Sequence, residues 1–185
     1  MNVHILKASE GGSHQQHPAL DAVTNPALDA RFFAPLALLD LGFVDPEWAG
    51  RKVLCLAMSV GAVDEDLVIR ETDDGRWTLS KIDGATPEDP TRGSKWAEGF
   101  EEGPGAFDRL PSFEAAELVE VAHGDFKEPQ HVWMTIGEPR WVQSPEPPGE
   151  GWRFVAQLES YYLFGTVFVF YNPETREAYH MLQFT

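Results

Sequence analysis

Residues Ile136–Phe184 read IGEPRWVQSPEPPGEGWRFVAQLESYYLFGTVFVFYNPETREAYHMLQF, and they carry the clearest structural signal in the chain. Aromatic and β-branched residues are concentrated in three segments bounded by Pro, Gly and Asn, a pattern typical of β-strands. The segments are Trp152–Leu158, Thr166–Tyr171 and Ala178–Phe184. A polar sequence, Asn172–Thr175, separates the last two and predicts a turn. This stretch therefore predicts an antiparallel β-sheet.

Five further segments predict strands. The apolar run Lys52–Val60 has the length and composition of a buried central strand. Leu67–Glu71 and Arg76–Ile82 flank an Asp-Gly pair, which is a hairpin signal. A strand is also predicted at His131–Ile136. Leu118–Ala122 is predicted to be a strand, with extension of a helix that precedes it as the alternative.

Short helices are predicted at three places. At Asn25-Pro26 a capping residue precedes proline, and apolar residues then recur at helical spacing as far as Leu39. Pro35 interrupts this pattern, so we expect one short helix or two turns with a break. A second short helix is predicted at Phe113–Glu117, and Asp45–Trp48 predicts one more helical turn.

Together these elements predict a single α+β domain spanning residues 1–185, with a mostly antiparallel β-sheet and a few short helices. Val3–Leu6 is expected to be either an edge strand or disordered. A long acidic loop rich in Gly and Pro is expected at about residues 83–111. Three aromatic residues lie in this loop, which favours an excursion that packs back onto the body over a binding lid.

The charge balance excludes several classes of partner. The chain has 30 acidic and 14 basic residues and a net charge of −16. Such a field repels nucleic-acid phosphates and anionic lipid, so neither a nucleic acid nor a membrane is an expected partner. The same field attracts a basic protein, although solubility alone also accounts for it.

Cysteine content and the lack of targeting signals indicate a cytoplasmic protein. Cys55 is the only cysteine, which excludes an internal disulfide and a Cys-based zinc cluster. Its apolar neighbours in Val53–Met58 predict a buried, unreactive thiol. No signal-peptide core is found near the N-terminus, and no apolar run approaches the ~18–20 residues of a membrane helix.

No catalytic motif stands out in the sequence. The chain lacks the His-Glu-x-x-His, Gly-x-Ser-x-Gly and EF-hand patterns and the glycine signatures of nucleotide sites. Its six histidines are scattered. The sequence therefore predicts no catalytic residue, no metal site and no cofactor. A hydrolase that pairs carboxylates in three dimensions stays open, because such pairs leave no motif.

Aromatic residues around the predicted C-terminal sheet are candidates for ligand or partner binding. Trp and Tyr are favoured where an apolar surface meets a polar partner. Tyr161–Phe164 places four large side chains in succession, and one strand face cannot bury them all. Some of them must contact a loop, a ligand or another chain. The candidate aromatic residues are Trp141, Tyr161, Tyr162 and Phe164.

Three motifs in this region point to a family. Ile136–Gln143 is similar to a GG-x-P-x-W-x-Q motif, Phe154–Leu158 to an FLxQID strand, and Gly165–Phe170 to a G-x-L-x-F-F strand. In this order the motifs resemble those of the YwqG-like family of bacterial proteins of unknown function. The resemblance implies a mostly β, α+β fold, no established enzymatic activity and, for some relatives, a place among contact-toxin systems.

Two glutamines, Gln143 and Gln157, lie within these motifs and have two alternative predicted roles. Their amides either face one cleft and bind a ligand, or satisfy backbone groups of a loop.

The leading functional hypothesis is a non-catalytic binding protein whose acidic surface engages a basic protein, as an immunity-type inhibitor of a basic toxin would. The alternative is a small-molecule binding protein or hydrolase with a pocket between the sheet and the 83–111 loop. A third hypothesis is a homo-oligomer in which Tyr161–Phe164 forms a symmetric contact.

Overall fold

A computed structural model describes eight parts of the chain: residues 2–16, 33–58, 66–71, 77–81, 106–107, 113–122, 133–159 and 165–184. Twelve strands lie in these parts, and they join into one curled antiparallel sheet. The strands are β1 (Asn2–Ala8), β2 (His14–Gln16), β3 (Phe33–Asp40), β4 (Lys52–Met58), β5 (Leu67–Glu71), β6 (Trp77–Lys81), β7 (Ala106–Phe107), β8 (Glu114–Ala122), β9 (Trp133–Thr135), β10 (Arg153–Glu159), β11 (Thr166–Asn172) and β12 (Glu177–Gln183). Two 3-10 turns, Leu41–Phe43 and Pro46–Trp48, are the helical structure of these parts. Neither turn has the length and apolar character needed to cross a membrane.

The predicted α+β class is wrong, because the fold is nearly all β. The predicted helix that ends near Leu39 is strand β3 where the structure describes it, and the predicted helix at Phe113–Glu117 is the start of β8. All four residues of Leu36–Leu39 are buried, although successive residues of a strand point to opposite faces. A strand covered on both faces is apolar throughout, and such a run also satisfies helical spacing. Residues 17–32, where that helix was predicted to begin, lie outside the described residues.

The predictions for the C-terminal stretch are confirmed to within one residue. Strands β10, β11 and β12 form an antiparallel meander, and the predicted turn between the last two begins at Asn172. The side chain of Asn172 accepts hydrogen bonds from the backbone of Glu174 and Thr175, which holds the turn. The antiparallel pairing of β5 with β6 and the helical turn after Asp45 are confirmed as well.

The order of strands in the sheet is β4-β3-β2-β8-β1-β9-β10-β11-β12-β5-β6-β7. Strand β1 therefore pairs with β8 on one side and β9 on the other. Val3–Leu6 lies in a strand, which agrees with one of the two predicted alternatives, but its predicted place at an edge of the sheet is wrong, since β1 has a partner on each side. Strand β4 was predicted to be central and instead ends the order among the described strands, although its residues Val53–Leu56 are buried.

Curling of the sheet explains how an end strand can be buried. Strand β4 packs against β11 and β12, so one end of the sheet contacts its middle. The ring of Trp48 meets that of Tyr171 edge-on at 5.7 Å, and Arg51 Nη1 donates to the Pro173 carbonyl at 3.4 Å. The main hydrophobic core fills the enclosed inner face and includes buried Cys55, as predicted.

The outer face of the sheet carries a second, smaller apolar cluster. Its buried members are Val68, Phe168, Phe170, Tyr179 and Met181. A segment without helix or strand, Ile136–Trp152, crosses this face and is called the strap below. Trp141, Val142 and Trp152 of the strap pack on the outer cluster. The strap therefore covers these apolar residues on the side of the sheet away from the main core.

Two buried histidines accept hydrogen bonds from the backbones of β3 and β4. His180 on β12 is fully buried, and its Nε2 accepts a hydrogen bond from the Leu56 backbone N–H at 3.4 Å. His14 on β2 is also buried, and its Nδ1 accepts from the Asp40 backbone N–H at 3.1 Å. Both imidazoles act as acceptors, which requires the neutral form.

Burial sets the protonation state of both histidines. Burial lowers the pKa of His180 to about 3, against a weaker opposing effect of the Ala178 and Leu54 backbones. Burial also lowers the pKa of His14; Asp40 opposes this shift and Lys52 adds to it. Desolvation disfavours a charged imidazole, so both side chains keep their acceptor role at neutral pH.

Acid is expected to destabilise the fold through His180. Between pH 6.5 and about 3 the unfolded chain binds a proton at this residue that the folded chain does not. The stabilisation is therefore complete above pH 6.5 and falls with decreasing pH by up to roughly 1.4 kcal/mol per unit. The His180→Gln variant removes this titration and keeps an acceptor, so the wild type should lose its advantage over the variant as the pH falls. Urea unfolding at several pH values measures the difference.

The matched control for this experiment is His4→Gln on β1, because His4 is only partly buried. This variant also replaces one imidazole by an amide but leaves the contact of His180 with Leu56 intact. If the curve of His180→Gln runs parallel to that of the wild type, His180 is not held neutral in the core.

Gly12 lies where the turn between β1 and β2 passes β8, and a Cβ there would overlap the carbonyl oxygen of Ala116. We expect Gly12→Ala to lower the free energy of unfolding by roughly 2–3 kcal/mol, because backbone must move to accept the methyl group. Gly50→Ala is the control, since Gly50 has φ +84 but open space around it. Its cost should be the smaller left-handed penalty of about 1–2 kcal/mol. Equal losses in chemical denaturation would contradict the close packing of Gly12 on β8.

Candidate functional site

Gln157 on β10 anchors the first part of the strap. Its side chain is 1% exposed, and its Oε1 accepts a hydrogen bond from the Arg140 backbone N–H at 2.8 Å. Its Nε2 donates to Glu159 Oε1 at 3.1 Å, and Trp133 Nε1 donates to Glu159 Oε2 at 3.0 Å. Strands β9 and β10 thus hold one carboxylate and one amide in a fixed arrangement beneath the strap.

Gln183 at the end of β12 anchors the middle of the strap. Its Oε1 accepts from the backbone N–H groups of Val142 at 3.2 Å and Gln143 at 3.1 Å. Its Nε2 donates to the Ser144 carbonyl oxygen at 3.2 Å. The side chain is 2% exposed, so one buried amide satisfies three backbone groups of an irregular segment.

Trp141 lies between these two anchors and packs flat on strand β11. Its ring stacks on Phe168 with a centroid distance of 5.0 Å and an interplanar angle of 17°, and on Phe170 at 6.0 Å and 21°. Parallel stacking of large rings adds dispersion contact to the area that they bury. The partly buried indole therefore fixes the strap on the sheet between the two glutamine anchors.

Tyr179 on β12 marks the far part of the outer cluster, where acidic groups meet an aromatic surface. Burial, a hydrogen bond with Asp66 and the charges of Asp66 and Glu146 raise the pKa of the phenol. The group is therefore a neutral donor to a carboxylate, and it is unsuited to act as a base at neutral pH. Trp152 packs against its ring at a centroid distance of 5.8 Å.

The structure brings three of the six predicted binding residues together. Trp141 and Gln143 lie on the strap, and Gln157 lies beneath it. Of the two roles predicted for the glutamine amides, Gln157 fulfils the one that satisfies loop backbone. The Gln143 side chain is exposed, and only its backbone N–H contacts an anchor. The remaining candidates, Tyr161, Tyr162 and Phe164, lie outside the described residues.

Sequence reasoning missed Gln183, although a signal was present. Tyr179, Met181 and Gln183 alternate along β12 and share its outer face. An amide that continues an apolar stripe in this way must find hydrogen-bond partners when it is buried. The same reasoning on the inner face would have singled out His180, which lies between Ala178 and Leu182.

In the described parts of the chain, the side chains that most often take part in catalysis are buried, and they are either protonated or hydrogen-bonded to backbone. Burial raises the pKa of the Cys55 thiol, which keeps the sulfur protonated and unreactive. His14 and His180 are neutral acceptors for backbone N–H groups. Across the ranges that the structure describes, no three His, Cys, Asp or Glu side chains come together as a metal site.

The pocket of the alternative hypothesis was predicted under residues 83–111. Of this segment the structure describes Ala106–Phe107, which form β7 and pair with Trp77 and Thr78 of β6. The rest of the predicted loop lies outside the described residues. Comparison with protein-family models, curated proteins and solved structures finds no match to this chain.

The two glutamine anchors are expected to act independently on the strap. Gln183→Met keeps the size of the side chain but removes the partners of Val142 and Gln143, so their amides should exchange faster with solvent. The Arg140 amide should stay protected, since Gln157 holds it. Gln157→Met should give the reverse pattern. Each substitution should lower the free energy of unfolding by about 1–3 kcal/mol.

Residue-resolved hydrogen exchange by NMR distinguishes the two patterns, and amides of β11 serve as the internal reference. Uniformly faster exchange over the whole strap in both variants would contradict two separate anchors.

Proposed function

We propose that this chain is a non-catalytic, cytoplasmic binding protein whose acidic surface engages a basic protein, as an immunity-type inhibitor of a basic toxin. The proposal includes the resemblance to the YwqG-like bacterial family, for which no enzymatic activity is implied. Its main support is that the strap uses its buried polar contacts for its own attachment and leaves carboxylates facing solvent.

Exposed acidic residues are spread over the described surface, and the strap contributes a group of its own. The exposed carboxylates of the strap are Glu138, Glu146 and Glu150, against the single base Arg140. Others lie on separate elements. They include Glu10, Glu47, Glu71, Glu117, Glu120 and Glu174.

Attachment of the strap makes its carboxylates suitable for recognition. A charged side chain on a fixed backbone loses less entropy on binding than one on a flexible loop. Complementary charge also steers a basic partner toward the surface and raises the association rate at low salt. The net charge of −16 supplies the long-range attraction, and the strap supplies defined positions for contact.

Binding to a basic protein is expected to depend on salt. The full-length protein should recover a basic partner from native lysate at about 0.01–0.1 M salt, where charges act over ~10–30 Å. The complex should be lost near 1 M salt, where that range falls to ~3 Å. Mass spectrometry of the captured proteins gives their identity and net charge. Recovery of no basic protein at low salt would contradict the proposal.

A matched pair of variants tests whether the strap matters. The strap variant is Glu138→Gln/Glu146→Gln/Glu150→Gln. The control variant removes the same charge from exposed positions elsewhere and is Glu10→Gln/Glu71→Gln/Glu117→Gln. Capture should fall more in the strap variant than in the control. Equal loss would show that total charge alone attracts the partner.

A further inference from the structure

The strap contains a short proline-rich segment, Ser144–Gly149, with the sequence SPEPPG. Each residue that precedes a proline is confined to extended conformations, and each proline fixes its own φ near that of polyproline II. No helix, strand, turn or bend occurs from Pro145 to Gly149, which agrees with an extended path. The side chains of Pro145, Glu146 and Pro147 are exposed.

Both ends of this segment are fixed to the sheet. At the start, Gln183 holds the backbone of Val142, Gln143 and Ser144 through three hydrogen bonds. At the far end, Gly149 and Gly151 take positive φ values of 110° and 84° and turn the chain back toward β10. Trp152 then packs on Tyr179. The exposed prolines are thus presented on a segment that is ordered before any partner binds.

A polyproline II helix has three residues per turn, so it presents three edges. Pro145 and Pro147 lie on two adjacent edges, and Glu146 lies on the third. A partner that takes the two pyrrolidine rings therefore approaches the side of the helix opposite the Glu146 edge. Aromatic-lined grooves bind such rings well, because the extended helix has little conformational entropy left to lose.

We propose that Ser144–Gly149 is the contact segment for the partner, and that the partner is a protein with an aromatic-lined groove flanked by Lys or Arg side chains. The groove takes Pro145 and Pro147, and the basic rim takes Glu138 and Glu150, the exposed carboxylates that precede and follow the segment in the chain. This inference rests on the proposed function and names the chemistry of the partner's surface.

The test uses the basic protein recovered at low salt, purified and titrated against the full-length chain. Pro145→Ala/Pro147→Ala should weaken binding by roughly tenfold or more, as loss of central interface contacts does. The control is Pro46→Ala/Pro173→Ala, which changes two prolines outside the strap and should leave the dissociation constant unchanged. Hydrogen exchange at Val142 and Gln143 checks that the anchor by Gln183 survives in the strap variant.

A second measurement uses the synthetic peptide QSPEPPGEG, which copies Gln143–Gly151. In excess it should displace the full-length chain from the partner, whereas the same peptide with alanine at both exposed prolines should not. A photo-crosslinker placed at position 143 of the peptide should label the aromatic groove of the partner. Labelling only outside such a groove would overturn the inference.

The outcomes separate this inference from the proposed function. Binding that depends on the strap carboxylates but not on the two prolines would overturn the inference and leave the proposed function standing. Equal loss in the control proline variant would also overturn it. Capture of no basic partner would overturn both.

Discussion

This fold depends on hydrogen bonds that backbone N–H groups donate to buried side chains. Strand β12 supplies such an acceptor side chain on each of its two faces. Gln183 points outward and binds the backbone of the strap, whereas His180 points inward and binds the backbone of β4. An irregular segment and an end strand each expose N–H groups without a partner in a β-ladder. Unpaired groups of this kind are costly when water is excluded, so the two contacts let both elements pack tightly.

Neutral amide and imidazole groups suit this task better than charged ones. A buried charge would need a partner of opposite sign, and a chain with 14 basic against 30 acidic residues has few to offer. The described interior therefore relies on glutamine, histidine and threonine, and the carboxylates are mostly left at the surface. Glu159 is an exception that is only partly buried, and it receives hydrogen bonds from Trp133 and Gln157. The same division gives the acidic exterior that the proposed function requires.

How far the sequence predicts the fold depends on the distance over which a signal acts. The meander β10–β12 was predictable because its aromatic and β-branched segments and the turn signal at Asn172–Thr175 lie within a few positions of one another. The role of His180 was not, because its partner Leu56 lies 124 residues earlier and the contact exists only once the sheet curls. Strand β3 was misread for a related reason. Its apolar residues face two layers, and only the tertiary fold shows that both sides are covered.

For the candidate site the same limit applies. Trp141 and Gln157 could be singled out by residue type and by their place beside strand patterns, but their contacts depend on the path of the strap. Gln183 could have been predicted from the alternation along β12, since its outer neighbours are Tyr179 and Met181. The prolines of the strap were visible in the sequence as breaks in secondary structure. Their exposure and their fixed ends depend on contacts with strands far away in the chain.

The central place of β1 has a consequence for how the chain folds during its synthesis. Strand β1 leaves the ribosome before its partners β8 and β9, which end at residues 122 and 135. At a translation rate of roughly 5–20 residues per second, β1 waits on the order of ten seconds before both of its hydrogen-bonding edges can be filled. During that interval a nascent strand containing Val3, Ile5 and Leu6 stays open to chaperones or to wrong pairing. The strands of the meander β10–β12, in contrast, are close in sequence and can pair as soon as they emerge. The slow step in forming this sheet is therefore the wait of β1 for its partners, and the last steps are local.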